Sequence, residues 1–392
     1  MRPHQEMLAL LAGGHDSAAV ESALALDAAE WSEALAALRM HGLAPLLHDL
    51  IRGAEPRRDV PEAVQAALRS ASEHSMLVYT IQASDLAEVL AALDEEGIRH
   101  LLLKGLALGL TVYAKPWHRP MTDSDLLVPA EDVERAARKL LSVGWALGEE
   151  WRDAHHPPAL VKPWHPPLEL HDHSLYIPVP DPSYRLLDVP FRTLADAALP
   201  VSLRGRPTLA PGVPDAILQL TCNFISHLEE SAARPLRWVR DFAQLLGRCP
   251  ASGGWASVEE RCAALVPELA DYLRLSLALA EPFLGEALTD EMRAFRAGLP
   301  RRWEGLVAAL PPERMITEWE ASPLAAVSLL SKLSSRGHAL RWMLRKVLVA
   351  REHISRQTGL APRSGWIRFY PTAFLIHLHH HATGMGDARP GG

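Results

Sequence analysis

The chain has little cysteine. Cys222, Cys249 and Cys262 are its three, far apart and in no CxxC spacing. A disulfide framework and a cysteine-built zinc site are excluded, and a reducing, cytoplasmic setting fits. Positive charge is not in excess: 40 Lys and Arg face 47 Asp and Glu, for a formal net charge of -7. That balance argues against a nucleic-acid partner. The chain does not open with a basic stretch and an apolar run of leader length, because Asp16 and Glu21 interrupt it. No stretch reads as a clean membrane span. The GxxxxGK[ST] phosphate loop is missing, and so is any internal repeat. What remains is rich in Ala and Leu, which favours helix, over 392 residues, enough for two or three domains.

One stretch departs from that helical background. Residues 101–103 are a short apolar run that reads as a buried strand, broken by Lys104-Gly105. Leu106, Leu110 and Tyr113 then recur at helical spacing. Pro116 and Pro120 end the helix and bracket a loop with His118 and Arg119. Asp123-Ser124-Asp125 leads into the apolar Leu126-Leu127-Val128, a second strand. Side chains alternate along a strand, so Asp123 and Asp125 share a face. Two carboxylates held there repel unless a cation lies between them. A hard divalent ion that prefers oxygen, most naturally magnesium, suits such a pair. Further on, Leu168-Glu169-Leu170-His171 alternates apolar and polar, which puts Glu169 and His171 on one face of a half-buried strand.

The order strand, Lys-Gly, helix, loop, Asp-Ser-Asp, strand resembles the nucleotidyltransferase superfamily, with its polymerase-beta-like fold. Specifically, it is similar to the KG-type family of bacterial nucleotidyltransferases, some of which lie beside lasso-peptide biosynthesis genes. The resemblance implies an α+β fold: a small mixed β-sheet core, an N-terminal helical layer and a larger C-terminal helical domain. The expected divisions are residues 1–95, 96–180 and 181–382, with a disordered tail at 383–392. It implies Asp123, Asp125 and Glu169 as metal-binding catalytic carboxylates, because the family carries an acidic residue, Leu and His where Glu169-Leu170-His171 stand. The superfamily's Ser after the first turn is absent, with Leu106 after Gly105. The family's histidine on a later helix matches His227, and its Trp and Asp on the next helix match Trp238 and Asp241. His171, His227 and Asp241 are expected on the acceptor or closing side.

The rest of the chain reads as helices. They are expected near residues 7–11, 18–26, 31–40 and 43–51, with Gly42 as a stop, and from Pro61 to about residue 94. Short strands are expected at 145–151 and 159–161, then a helix from Pro214 and another over 235–246. Further helices follow to residue 357, and an HLHHH tract lies at 377–381.

The activity this implies is magnesium-dependent transfer, with manganese also possible, of a nucleoside monophosphate from a nucleoside triphosphate such as ATP. The acceptor is a hydroxyl or phosphate on a small molecule, peptide or protein. Metal ions held by the carboxylates neutralise the phosphates. Gly105 and the start of the following helix receive phosphate oxygens through backbone N–H groups, with Lys104 and Arg119 as nucleotide-binding cations. Two other classes stay open: a nucleotide-binding regulatory protein without turnover, and a metal-dependent phosphohydrolase. A zinc site built on His171 and His173 with His165, or with His155 and His156, is a weaker reading of the same region.

Overall fold

The structure is a computed structural model that describes residues 1–54, 60–148, 159–177, 185–187, 189–227 and 235–317. The expected last helices, the HLHHH tract, the tail, and His155 and His156 lie outside the described residues. One compact unit comprises Met1–Pro178 and Tyr184–Glu320.

Helices α1 (Pro3–Gly13), α2 (Asp16–Leu24), α3 (Ala28–His41), α4 (Ala44–Gly53) and α5 (Glu62–Glu95) open the chain. Asp27 caps α3 by accepting from the Glu30 N–H at 2.8 Å, and Glu30 accepts in return from the Asp27 N–H. Gly42 closes α3 in the left-handed conformation, at φ 69°. Helix α5 runs for 34 residues because no Gly or Pro interrupts it. By length and composition alone α5 could cross a membrane, which qualifies the expectation of no span. Its stripe of Ala83, Leu86, Val89, Leu90, Ala92 and Leu93 is nonetheless buried in the main core.

The sheet follows: β1 (Leu101–Leu102), α6 (Lys104–Thr111), β2 (Ser124–Leu127), α7 (Val133–Ser142), β3 (Ala146–Leu147), β4 (Leu160–Val161) and β5 (Leu168–His171). The strand order is β1-β2-β5-β4-β3. Only the central pair, β2 and β5, is parallel, with Asp125 opposite Glu169 and Leu126 opposite Leu170. Leu126, Leu168 and Leu170 enter one core with the α5 stripe and with Ala136 and Leu140 of α7. The alternation of the strands therefore turns Asp125, Glu169 and His171 to the opposite face.

Two hairpin-like pairs come next, β6 (Tyr176–Ile177) with β7 (Arg185–Leu186), and β8 (Leu199–Leu203) with β9 (Arg206–Ala210). The β8–β9 turn uses positive φ at Arg204 and Gly205, as a two-residue hairpin loop requires. Between these pairs lies α8 (Phe191–Ala195), which the sequence pattern did not announce. The remaining helices are α9 (Val213–His227), α10 (Pro235–Leu246), α11 (Gly254–Leu265), α12 (Ala270–Leu284), α13 (Asp290–Ala297), α14 (Arg301–Ala309) and α15 (Pro312–Thr317). Pro312 stands at the first position of α15, where proline fits. Helix α1 packs on α10 and α12, so the N-terminal layer and the C-terminal helices meet directly. The protein is thus α+β, a small mixed sheet among helices.

Candidate active site

The site forms where β2 and β5 run side by side. Backbone bonds from Ser124 N–H to Pro167 O at 2.9 Å and from Val128 N–H to His171 O at 3.0 Å fix the register. Asp125 and His171 are fully enclosed, and Glu169 is partly exposed at the rim. The His171 Nε2–H reaches Asp125 Oδ1 at 2.8 Å and lies 3.4 Å from Glu169 Oε2. Lys104 Nζ lies 2.6 Å from the same Asp125 oxygen and 3.7 Å from Glu169 Oε2.

The charges respond to this crowding. Burial pushes the Asp125 carboxyl up, but Lys104 and His171 outweigh it and hold the group well below the usual carboxylate range. For His171, burial and the Lys104 charge pull down, and the bonds to Asp125 and Glu169 leave it above its ordinary value. Asp123 has the opposite fate. Burial, and then the Asp125 charge, raise it to about 6 despite the pull of Lys104. It is the like-charged member of the cluster, held in place through its carbonyl by Gln82 Nε2 at 2.7 Å.

Lys104 itself is unusual. It starts α6 with φ 47°, a left-handed conformation that costs a non-glycine residue energy and concentrates at functional sites. Its N–H donates to Gln219 Oε1 on α9 at 3.0 Å, and Gln219 Nε2 bonds Ser174 O at 3.5 Å. Lys104, Thr111, Arg119, Gln219 and Asn223 line a cavity of about 10 Å³ between α6 and α9.

Asp125, Glu169 and His171 each offer a ligand atom, all within 4.8 Å of one another, and among the described residues they form the group suited to a metal ion. Two carboxylates and one imidazole are a donor set that a divalent cation can use. The residues weighed for zinc are otherwise engaged, His165 with Asp85 and His173 with Asp172 at 2.8 Å.

The family described as "Uncharacterised nucleotidyltransferase" matches residues 27–285, which contain the whole sheet and this cluster. The chain belongs to that nucleotidyltransferase family. No curated protein matches it. Two solved structures are similar in part. The solution structure of the antibiotic-resistance factor ANT(2'')-Ia is 17% identical over 49% of this chain and 94% of that one, with a TM-score of 0.34. The crystal structure of ANT(2'')-Ia in complex with adenylyl-2''-tobramycin is 18% identical over 48% and 98%, also at 0.34. Likenesses at that score carry no weight for the site.

Of the expected residues, Lys104 and His171 stand with the carboxylates, and Arg119 and Asp241 pair with each other. Arg119, expected on the nucleotide, is enclosed and committed to Asp241: its Nε donates to both carboxylate oxygens at 2.9 and 3.0 Å, and Nη2 lies 2.9 Å from Oδ2. Tyr113 donates its hydroxyl to the same Asp241 at 2.7 Å. Asp241, expected on the closing side, is thus the buried anchor of the loop after α6. Gly105, expected to cradle phosphate, has a second duty. A Cβ there would sit 2.5 Å from Arg119 Nη1, so a larger residue would have to push the guanidinium aside. His171 belongs to the carboxylate cluster. The side chain of His227, at the end of α9, lies outside the described residues. Sequence reasoning passed over Gln219 and Tyr113. Gln219 carried no signal, being one polar residue within an apolar helical stripe.

Proposed function

We propose that this nucleotidyltransferase moves a nucleoside monophosphate from a nucleoside triphosphate to a hydroxyl or phosphate of an acceptor, with a divalent cation at Asp125, Glu169 and His171 and with Asp123 alongside. The observation that carries this is the parallel register of β2 and β5, which places Asp125 beside Glu169 on the sheet face turned from the core. A bound Mg2+ or Mn2+ supplies charge neutralisation and lowers the pKa of the attacking group. The protein's own groups do the rest. The first turn of α6 and Lys104 receive phosphate oxygens, and Gln219 holds the turn in shape. The acceptor oxygen bonds to the α-phosphorus as the bond to the bridging oxygen breaks. Pyrophosphate leaves with the electron pair, and the acceptor's proton passes to a carboxylate of the cluster. The three buried cysteines, none of them in a disulfide, suit the proposed cytoplasmic setting.

The test is incubation of the full chain with each α-labelled nucleoside triphosphate, Mg2+ or Mn2+, and a fractionated cell extract. Label on an acceptor with release of pyrophosphate is the expected result. A monophosphate or inorganic phosphate released without labelled acceptor would point to hydrolysis. Nucleotide binding with no product of any kind would favour the regulatory reading, which has one observation behind it: Lys104 already pairs with the Asp125 oxygen that a cation would use.

A further inference from the structure

We infer that Lys104 is a built-in competitor for the divalent cation. Its ammonium holds the cation's place in the nucleotide-free protein, and it yields that place when cation and triphosphate bind together. The inference rests on the metal-dependent reading above and adds to it a loading order. Lys104 Nζ stands 2.6 Å from Asp125 Oδ1 and 3.7 Å from Glu169 Oε2, and these are two of the three residues whose ligand atoms fall within 4.8 Å of one another. An ammonium and a divalent ion cannot share one carboxylate oxygen at contact distance without strong repulsion. The lysine is also built to stay where it is. Its left-handed backbone at φ 47° is pinned by Gln219 Oε1, and its side chain is only 16% exposed.

The same residue has somewhere to go. It opens α6, beside the first-turn N–H groups that would receive phosphate oxygens in the reading above. A flexible four-carbon stem lets the ammonium exchange one anion for another without moving the backbone. The carboxylates then accept the cation as the lysine follows the phosphates. Cation alone meets the lysine and binds weakly. Cation with nucleotide meets carboxylates that the phosphates have relieved of their lysine, so each ligand favours the other.

The experiment measures Mn2+ binding to the full chain by the loss of the free-ion EPR signal, with and without a non-hydrolysable ATP analogue. Wild type, Lys104→Met and Lys104→Gln are compared after their folding is checked by circular dichroism. Without nucleotide, both variants are expected to bind Mn2+ about tenfold or more tightly than wild type, the lower end of a charged hydrogen bond's worth. Both are also expected to bind the ATP analogue about tenfold or more weakly in the absence of metal. These opposite signs set the proposal apart from damage to the site, which weakens both. Acetylation of Lys104 in the wild type, followed by mass spectrometry, supplies a readout without substitution and is expected to rise on Mn2+ saturation. Equal or weaker Mn2+ binding by the variants, or unchanged acetylation, overturns the competitor role and leaves the metal reading standing. No Mn2+ binding by any form, even with the ATP analogue, overturns the metal reading and this inference with it.

Discussion

Asp123→Asn is the substitution whose outcome the cluster fixes most tightly. Burial and the Asp125 charge raise the Asp123 carboxyl from 3.8 to about 6 in the folded protein. Its folded pKa is therefore above its unfolded one, and the folded state binds the extra proton. Stability from this group is complete below pH 4 and is lost as pH rises toward and through about 6. At 1.36 kcal/mol per unit, a shift of roughly two units is worth about 3 kcal/mol, and relaxation of a partly exposed side chain reduces this to roughly 2. Asparagine carries no charge to lose. In EDTA, urea unfolding should show wild type and Asp123→Asn nearly equal at pH 4, with the variant about 2 kcal/mol more stable at pH 7.5. Added Mg2+ or Mn2+ should then stabilise wild type more than the variant, narrowing the gap. Transfer activity should fall to background in the variant. A stability difference that does not change with pH, or a variant less stable at pH 7.5, would refute the like-charge account of the cluster.

Arg119→Ala leaves Asp241 buried and unpaired, and should cost about 3–5 kcal/mol in denaturant unfolding; the double change Arg119→Met with Asp241→Leu should recover most of it. Gly105→Ala should cost about 1–3 kcal/mol through the 2.5 Å approach to Arg119, read as a lowered melting temperature. Asp49 accepts from Lys115 at 2.6 Å and from His118 at 2.8 Å, and these bonds overcome the upward push of burial to bring it down to about 2. That depressed carboxyl stabilises the fold above its unfolded pKa, so about 1–2 kcal/mol should disappear between pH 4 and pH 2, and Asp49→Asn should flatten that limb of the stability profile.

Much of the fold was legible because it is written in local periodicity. Asp123-Ser124-Asp125 running into Leu126-Leu127-Val128 announced a strand, found at Ser124–Leu127, and the alternation of residues 168–171 announced its partner. The 235–246 helix was read with the bounds it has in the structure. What stayed hidden was carried by contacts between distant residues. Arg119 and Asp241 lie 122 positions apart, and nothing near either shows the other. Arg119 in a basic loop therefore reads as a phosphate ligand, with no local sign of its bond to Asp241. The left-handed backbone of Lys104 was equally silent, since lysine is a residue for which sequence predicts no such conformation. Its tie to Gln219 spans 115 positions.

The parallel pairing of β2 and β5 also bears on how this chain can tolerate change in length. The two strands are joined by residues 128–167, a crossover that includes α7, β3 and β4, and the face that carries Asp125, Glu169 and His171 depends on where the strands lock together. Residues gained or lost in the crossover's outer turns leave that lock untouched. One residue gained or lost between Pro167 and Glu169 would shift β5 by a single step. Every side chain on it would then change sides, so that Glu169 and His171 enter the hydrocarbon core and Leu168 and Leu170 take the opposite face. Relatives should therefore vary freely in the length of the crossover and hold the few residues around Pro167 to a fixed count.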